Sequence, residues 1–395
     1  MPSEKRMTRR DLAFKAALFA QVAGSAARGE GAEGADEGHK YTGPLDGFEN
    51  KVRMEAFDPI AWTIDRHKTA PMKMAFKATT RKQAENWQKS FRSKVVELIG
   101  GMPENRIPLA PQTLEVTDFP DYRRERFVME TRPGVMVLGV LLTPKTGSQR
   151  FPIVVASPGH GRGLDDIIGV DSSGKVQSDD KNIYHDFALQ VVRQGMAVVA
   201  IENMAFGCRR DPKTVQRNQS TSVCQPTAGA AMLLGETMIG WRVFDVMRTI
   251  DWIATRPELD AKRVGCMGLS GGGMVTLFAA ALDQRIKAAY VCGYLNTFRD
   301  SIMSVSHCID NYIPGILNWG EMHDVAGLIA PRPLFAESGE KDAIFPLKGF
   351  LEAFSHVQSI YEVFGAKEHT AQDVHPAAHE FSGRQGLGWL KAKLA

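Results

Sequence analysis

The sequence predicts an α/β protein: a mostly parallel central sheet with helices on both faces, preceded by a helical N-terminal extension. Three observations carry this. Residues 151–156 and 196–201 are continuous apolar runs, as expected of strands covered on both faces. A helical stretch from about Tyr184 to Gly195 joins them, and strand–helix–strand of this composition makes a right-handed crossover between parallel strands. Residues 263–274 then read as a third buried strand, a sharp turn at Ser270, and a helix starting among glycines.

Composition bounds the partners. A chain of 395 residues, 44% hydrophobic and 24% charged, has ample material for one large core. A net charge of +3, with no basic run interleaved with aromatics, excludes a nucleic-acid partner. No apolar stretch reaches the roughly 20 residues that span a bilayer. Residues 1–27 do resemble a twin-arginine export leader. Arg9 and Arg10 precede a modest apolar run, and small residues at 23–27 suit a cleavage site. Such a leader implies a periplasmic or extracellular protein; without it the chain stays cytoplasmic. Residues 28–47, rich in Gly, Glu and Ala, read as a disordered linker.

The remaining elements follow in order. Residues 48–120 form the helical extension, with Trp87, Phe91, Val95 and Leu98 on one stripe and Gly100-Gly101 as the stop. The main domain is then 121–395. Its first elements, 122–131 and 135–142, alternate as a hairpin joined through Arg132-Pro133-Gly134. The long segment 202–231 reads as an irregular, functional loop. A helix over 234–255 carries Ile239, Val243, Val246, Ile250 and Ile253 on one face. Strands at 286–291 and 333–337, a helix at 347–364 and a last helix at 383–394 complete the chain. Cys266 reads as a buried small hydrophobe. Cys208 with Cys224, and Cys292 with Cys308, are candidate bridges whose pairing the spacing leaves open.

The turn at Ser270 carries the chemistry. Gly268 and Gly272 flank it at G-x-S-x-G spacing, which a serine forced into a strained turn requires, since a Cβ two residues away would clash. A serine hydroxyl needs a base. Asp342 follows the strand ending near Glu337 and suits an acid that orients a histidine, with Glu340 as second choice. His379, just before the last helix, is the candidate base, with His375 the alternative. His67, His185 and His356 read as surface or packing residues. The backbone N–H of Gly271, and that of His160 or Gly161 in the glycine-rich stretch 157–163, are candidate oxyanion donors. No cofactor motif or zinc-ligand spacing such as H-E-x-x-H occurs.

Gly159-His160-Gly161, Gly268-Leu269-Ser270-Gly271-Gly272, Glu340-Lys341-Asp342 and His379-Glu380-Phe381 together resemble the α/β-hydrolase superfamily, in its acetylxylan-esterase and dienelactone-hydrolase-like branch. The likeness spans about 120–395. It implies the α/β-hydrolase fold and a triad of Ser270, Asp342 and His379 in a serine carboxylic-ester hydrolase acting on a small-molecule or polysaccharide ester, with deacetylation in the acetylxylan manner as the candidate reaction. Dienelactone hydrolases carry cysteine where Ser270 stands, cephalosporin-deacetylase-type esterases a glutamine at Gly271, and glucuronoyl esterases an arginine there. A peptidase or amidase of the same fold, and a non-catalytic binding member, are the alternative readings. Oligomeric state is left open.

Overall fold

The computed structural model describes residues 42–104, 106–147, 150–176, 182–217 and 221–395. The leader expected over 1–27, and most of the linker expected over 28–47, lie outside the described residues. The chain divides into two compact units, residues 1–57 and 58–395. The described part of the first holds two short 3₁₀ turns, Glu49–Lys51 and Met54–Phe57, without buried residues.

The second unit begins with helices α1 (Pro59–Lys68) and α2 (Arg81–Leu98). Asp58 caps α1 by accepting from the amides of Ile60 and Ala61. Thr80 and Gln83 form a capping box on α2. Phe91 and Val95 on its predicted stripe are fully buried.

Among the described residues, nine strands form one sheet: β1 (Gln112–Asp118), β2 (Tyr122–Arg132), β3 (Val135–Pro144), β4 (Phe151–Ser157), β5 (Ala197–Ile201), β6 (Leu259–Leu269), β7 (Ile286–Cys292), β8 (Leu334–Gly339) and β9 (Thr370–His375). Their spatial order is β1-β2-β3-β5-β4-β6-β7-β8-β9. The first four in that order pair antiparallel, and the rest pair parallel. β4 is central: Ile153–Ala156 pair with Ala197–Ala200 on one side and Val264–Met267 on the other. These residues are buried from both faces, which is why the sequence shows them as unbroken apolar runs.

The helices between strands are α3 (Phe187–Arg193), α4 (Pro212–Arg217), α5 (Cys224–Leu233), α6 (Met238–Ile253), α7 (Gly271–Leu282), α8 (Met322–Gly327), α9 (Leu347–Val363) and α10 (Gly386–Leu394). Residues of α2, α6, α7 and α9 fill one core on one face of the sheet, while α3 and α10 close a second core on the other. This is the α/β-hydrolase architecture. The segment 202–231 is not wholly irregular, since it contains α4 and most of α5. The stretch 48–120 is not wholly helical either: β1 falls inside it and pairs with β2 at the sheet edge.

From β4 the chain crosses to β5 on one side and later reaches β6 on the other. The carboxyl end of β4 is therefore a topological switch point, where open α/β sheets leave a crevice for ligands. The loop 158–163 and the turn at Ser270 both open there.

Candidate active site

Ser270 stands between β6 and α7 with φ 61° and ψ −122°, a conformation that non-glycine residues rarely adopt. Tertiary contacts impose it. The Ser270 amide donates to Cys292 O at 3.0 Å, and Ser270 O accepts from the Met274 amide at 2.9 Å. A Cβ on Gly268 would lie 2.5 Å from the Gly272 backbone, and one on Gly272 would run into Ser157 O. The expected steric basis of the G-x-S-x-G spacing is thus observed atom by atom.

Ser270, Gly271, His160 and His379 line one cavity of about 270 Å³, together with Tyr184, His307, Ile344 and Phe345. Asp342 sits behind His379. Its side chain is fully buried, and its Oδ2 accepts from His379 Nδ1 at 2.6 Å. Asp342 Oδ1 accepts from the amides of Ile344 and Phe345, both at 2.9 Å. With three hydrogen bonds so engaged, the carboxylate is fixed against rotation and holds the imidazole in place. The Phe345 ring stacks on His379 at 5.6 Å. His379 Nε2 has no hydrogen-bond partner, so it is the ring position left for chemistry. The backbone closes in on both groups. A Cβ on Gly159 would come within 2.9 Å of Ser270 Cβ, and one on Gly293 within 3.0 Å of His379 Cε1.

Gly271 is the first residue of α7, so its amide has no intrahelical acceptor and points from the positive end of the helix dipole. Across from it runs the loop after β4. Tyr184 Oη donates to His160 O at 2.7 Å, which fixes the peptide carrying the Gly161 amide. Gly161 faces Asp166, whose carboxylate a Cβ at this position would meet.

The alternatives fall elsewhere. Glu340 is exposed, and His375 is buried with neither ring nitrogen partnered; neither lines this cavity. His67 pairs with Glu321, His185 approaches Glu380, and His356 stacks on His323. Arg209 buries its guanidinium on Asp245 at 2.7 Å. The expected cysteine bridges are absent: all five cysteines are free, and Cys224 lies by Cys308 rather than Cys208.

Several residues that sequence reasoning passed over shape the site. Glu337, buried at the end of β8, accepts from the amides of Ser382 and Gly383 at 2.8 and 3.0 Å and from Tyr290 Oη at 2.6 Å. It anchors the segment that follows His379. Burial pushes its carboxyl above the usual range, against the pull of those donors. His307 bonds Ser301 Oγ at 2.8 Å and Ile344 O at 3.0 Å, and burial lowers its pKa, favouring the neutral ring. Glu202, directly after β5, accepts from the Leu164 amide at 3.3 Å beneath the 158–164 loop. A larger cavity, about 440 Å³, shares that loop and is lined by Arg126, Arg162, Asp165, Glu202 and Arg210. It contains no histidine beside a serine, so the smaller cavity is the candidate site.

Fold and motif define an α/β-hydrolase. Residues 63–380 match the Abhydrolase family profile, and the chain belongs to that family. It is 24% identical over 287 residues to YtaP, a provisionally named hydrolase of Bacillus subtilis (strain 168), covering 70% of this chain and 89% of that one. It is 25% identical over 205 residues to the 4-O-methyl-glucuronoyl methylesterase of Phanerochaete carnosa (strain HHB-10118-sp), covering 45% and 48%. Among solved structures, a provisionally named acetyl xylan esterase from Bacteroides fragilis NCTC 9343 superposes with a TM-score of 0.73 at 17% identity, over 85% of this chain and 95% of that one. A glucuronoyl esterase from Solibacter usitatus gives 0.62 at 15% identity, over 82% and 97%. At these identities the structural likeness is one of fold.

Proposed function

We propose that the chain is a serine carboxylic-ester hydrolase working through an acyl-enzyme, with Ser270 as nucleophile, His379 as base and Asp342 as the acid that orients it. The observation that carries this reading is the 2.6 Å bond from His379 Nδ1 to a buried Asp342, in the cavity that the strained Ser270 also lines. His379 Nε2 takes the Ser270 proton as Oγ attacks the ester carbonyl. Asp342 stabilises the resulting imidazolium without itself taking the proton. The Gly271 amide, with that of His160 or Gly161, holds the oxyanion; each such donor contributes about 3–4 kcal/mol in the transition state. The imidazolium then protonates the departing alcohol. Water, deprotonated by His379, cleaves the acyl-serine to release the acid and restore the hydroxyl.

A cavity of about 270 Å³ walled by Ile344, Phe345 and Tyr184 suits a short acyl group. The activities named for the similar structures, acetyl xylan and glucuronoyl esterases, support a carbohydrate ester as the natural substrate. The arginine-flanked residues 8–27 support export, which a reporter fusion to residues 1–47 tests directly. Hydrolysis of p-nitrophenyl acetate tests the chemistry. Ser270→Ala is expected to lose at least about 10⁴-fold in kcat, and octanoyl esters to react far more slowly than acetyl ones. Equal nitrophenol release by both proteins defeats the proposal.

A further inference from the structure

Beside the candidate site is a second cluster of chemically reactive groups. His160 comes from the loop after β4, Cys224 is the first residue of α5, and Cys308 and Asp310 flank the start of a 3₁₀ turn at Ile309–Asn311. One ligand atom from each, His160 Nε2, both sulfurs and a carboxylate oxygen, lies within 4.8 Å of all the others. Cys224 Sγ is 3.6 Å from His160 Nε2 and 3.3 Å from Asp310 Oδ2, and the last two are 3.8 Å apart. A tetrahedral ion with metal–sulfur bonds near 2.3 Å and metal–nitrogen or metal–oxygen bonds near 2.0–2.1 Å has ligand–ligand edges of about 3.3–3.8 Å. The S···N edge matches, and the S···O and N···O edges lie within about 0.5 Å of their ideals.

We propose that His160, Cys224, Cys308 and Asp310 form a binding site for one soft divalent cation of the zinc class. The donor set selects the class: two thiols and an imidazole favour zinc or cobalt over magnesium or calcium, which want oxygen alone. Surrounding groups are arranged as outer-shell support. Asp310 Oδ1 accepts from Asn311 Nδ2 at 2.9 Å, and Oδ2 from the fully buried Arg242 at 2.6 Å. Arg242 also reaches Cys224 Sγ at 3.4 Å and is fixed by Met204 O and the Phe206 ring. Such partners hold ligands in place and tune them. Two thiolates and a carboxylate beside one guanidinium leave a net charge of −2, which a single divalent cation neutralises. His160 and Cys308 line the cavity, so the ion has a way in.

Four protein ligands leave no open position, so the ion is structural rather than catalytic. It ties three separate segments together and fixes the loop that faces Gly271. The site stands on its own geometry and holds whether or not the esterase reading does.

Cobalt(II) added to the chelator-stripped, reduced full-length protein is the test. The expected result is one equivalent bound with a sulfur-to-cobalt charge-transfer band in the near ultraviolet, displaced by zinc, and a rise in Tm with zinc. The band is lost in Cys308→Ser and in Cys224→Ser and kept in the Cys208→Ser control. Cys308 is only half-buried, so its variant stays informative should Cys224→Ser fail to fold. Three results overturn the proposal. One is a reduced wild type that shows no thiolate band. Another is a band of equal strength in Cys308→Ser. The third is a protein that ignores cobalt while a small-molecule disulfide links Cys224 to Cys308, two thiols giving up two electrons and two protons to the reagent.

Discussion

Replacing Glu202 by glutamine should stabilise the protein at neutral and alkaline pH and leave it unchanged in acid. The Glu202 side chain is 3% exposed and lies against Gly163 and Gly207, where any Cβ would meet its carboxylate. Oε2 accepts from the Leu164 amide, and Oε1 has no partner. Arg209 bonds the Glu202 carbonyl rather than the carboxylate. Burial therefore dominates and pushes the carboxyl up to about 8, although the Leu164 amide opposes it; Asp165 adds to the rise and Arg209 works against it. Below the ordinary value of 4.5, folded and unfolded chains both hold the proton and no penalty exists. Between 4.5 and about 8 only the unfolded chain ionises, so stability falls as pH rises, and the loss is complete above about 8. At about 1.4 kcal/mol per pH unit, the whole interval amounts to on the order of 5 kcal/mol, and about 3 kcal/mol is lost by pH 7. Glutamine keeps the shape of the protonated acid, and its Oε1 accepts from Leu164. Urea unfolding of both proteins across pH 4.5 to 9 measures the difference. It should be near zero at the acid end and grow to several kcal/mol in favour of the variant by pH 8. A difference independent of pH refutes the reasoning.

The remaining predictions concern the elbow and the histidine. Asp342→Asn should keep the bonds from Ile344 and Phe345 but present an amide to His379 Nδ1, so kcat for p-nitrophenyl acetate falls about 10³–10⁴-fold with KM little changed. Gly293→Ala places a methyl 3.0 Å from His379 Cε1 at a φ of +51°. The ring must shift, and kcat should drop about 10²-fold while Tm falls by several degrees. At the elbow, Gly272→Ala drives a Cβ into the Ser157 carbonyl, backbone against backbone, and should cost more than about 3 kcal/mol, read as lost soluble expression or a collapsed Tm. Gly271→Ala, whose Cβ meets nothing closer than Gly159 Cα at 3.5 Å, should fold normally.

What was legible in the chain follows from burial. β4, β5 and β6 are covered on both faces, so their apolar runs stand out without any alternation. The turn at Ser270 was legible because its steric demand is local, set by glycines two residues away on each side. β1 was missed because nearly all its residues are exposed, which leaves no inward apolar set to read. β9 was missed because it buries Asp373, paired with Arg384 at 2.6 Å, where a strand pattern expects an apolar residue. Cys224 and Cys308 lie 84 residues apart, and spacing alone favoured nearer partners for each. Glu202 and Glu337 offered a usable signal: each is an ionisable residue at the carboxyl end of an apolar parallel strand, where α/β sheets place their ligand crevice.

Those two glutamates, with Asp342, divide the work of holding the site differently from the glycines. Each carboxylate lies at or just beyond a strand end and accepts from loop amides: Glu202 from Leu164, Glu337 from Ser382 and Gly383, Asp342 from Ile344 and Phe345. The loop after β4, the histidine segment and the imidazole are thus positioned by hydrogen bonds that can be weakened one at a time. Ser270 is positioned by the absence of space for any alternative, through Gly268, Gly272 and Gly159. Hydrogen bonds to a buried carboxylate contribute about 1.5–3 kcal/mol each and can be lost one at a time, whereas a backbone collision has no soft response. Substitutions at the three acids should therefore separate activity from folding, and substitutions at Gly268 and Gly272 should not. In Glu337→Gln one oxygen still accepts from Ser382 while the new amide faces the Gly383 N–H and Tyr290 Oη; a protein that stays folded while its kcat falls through a displaced His379 would be the sign that these loops, rather than the elbow, set how far the site can be retuned.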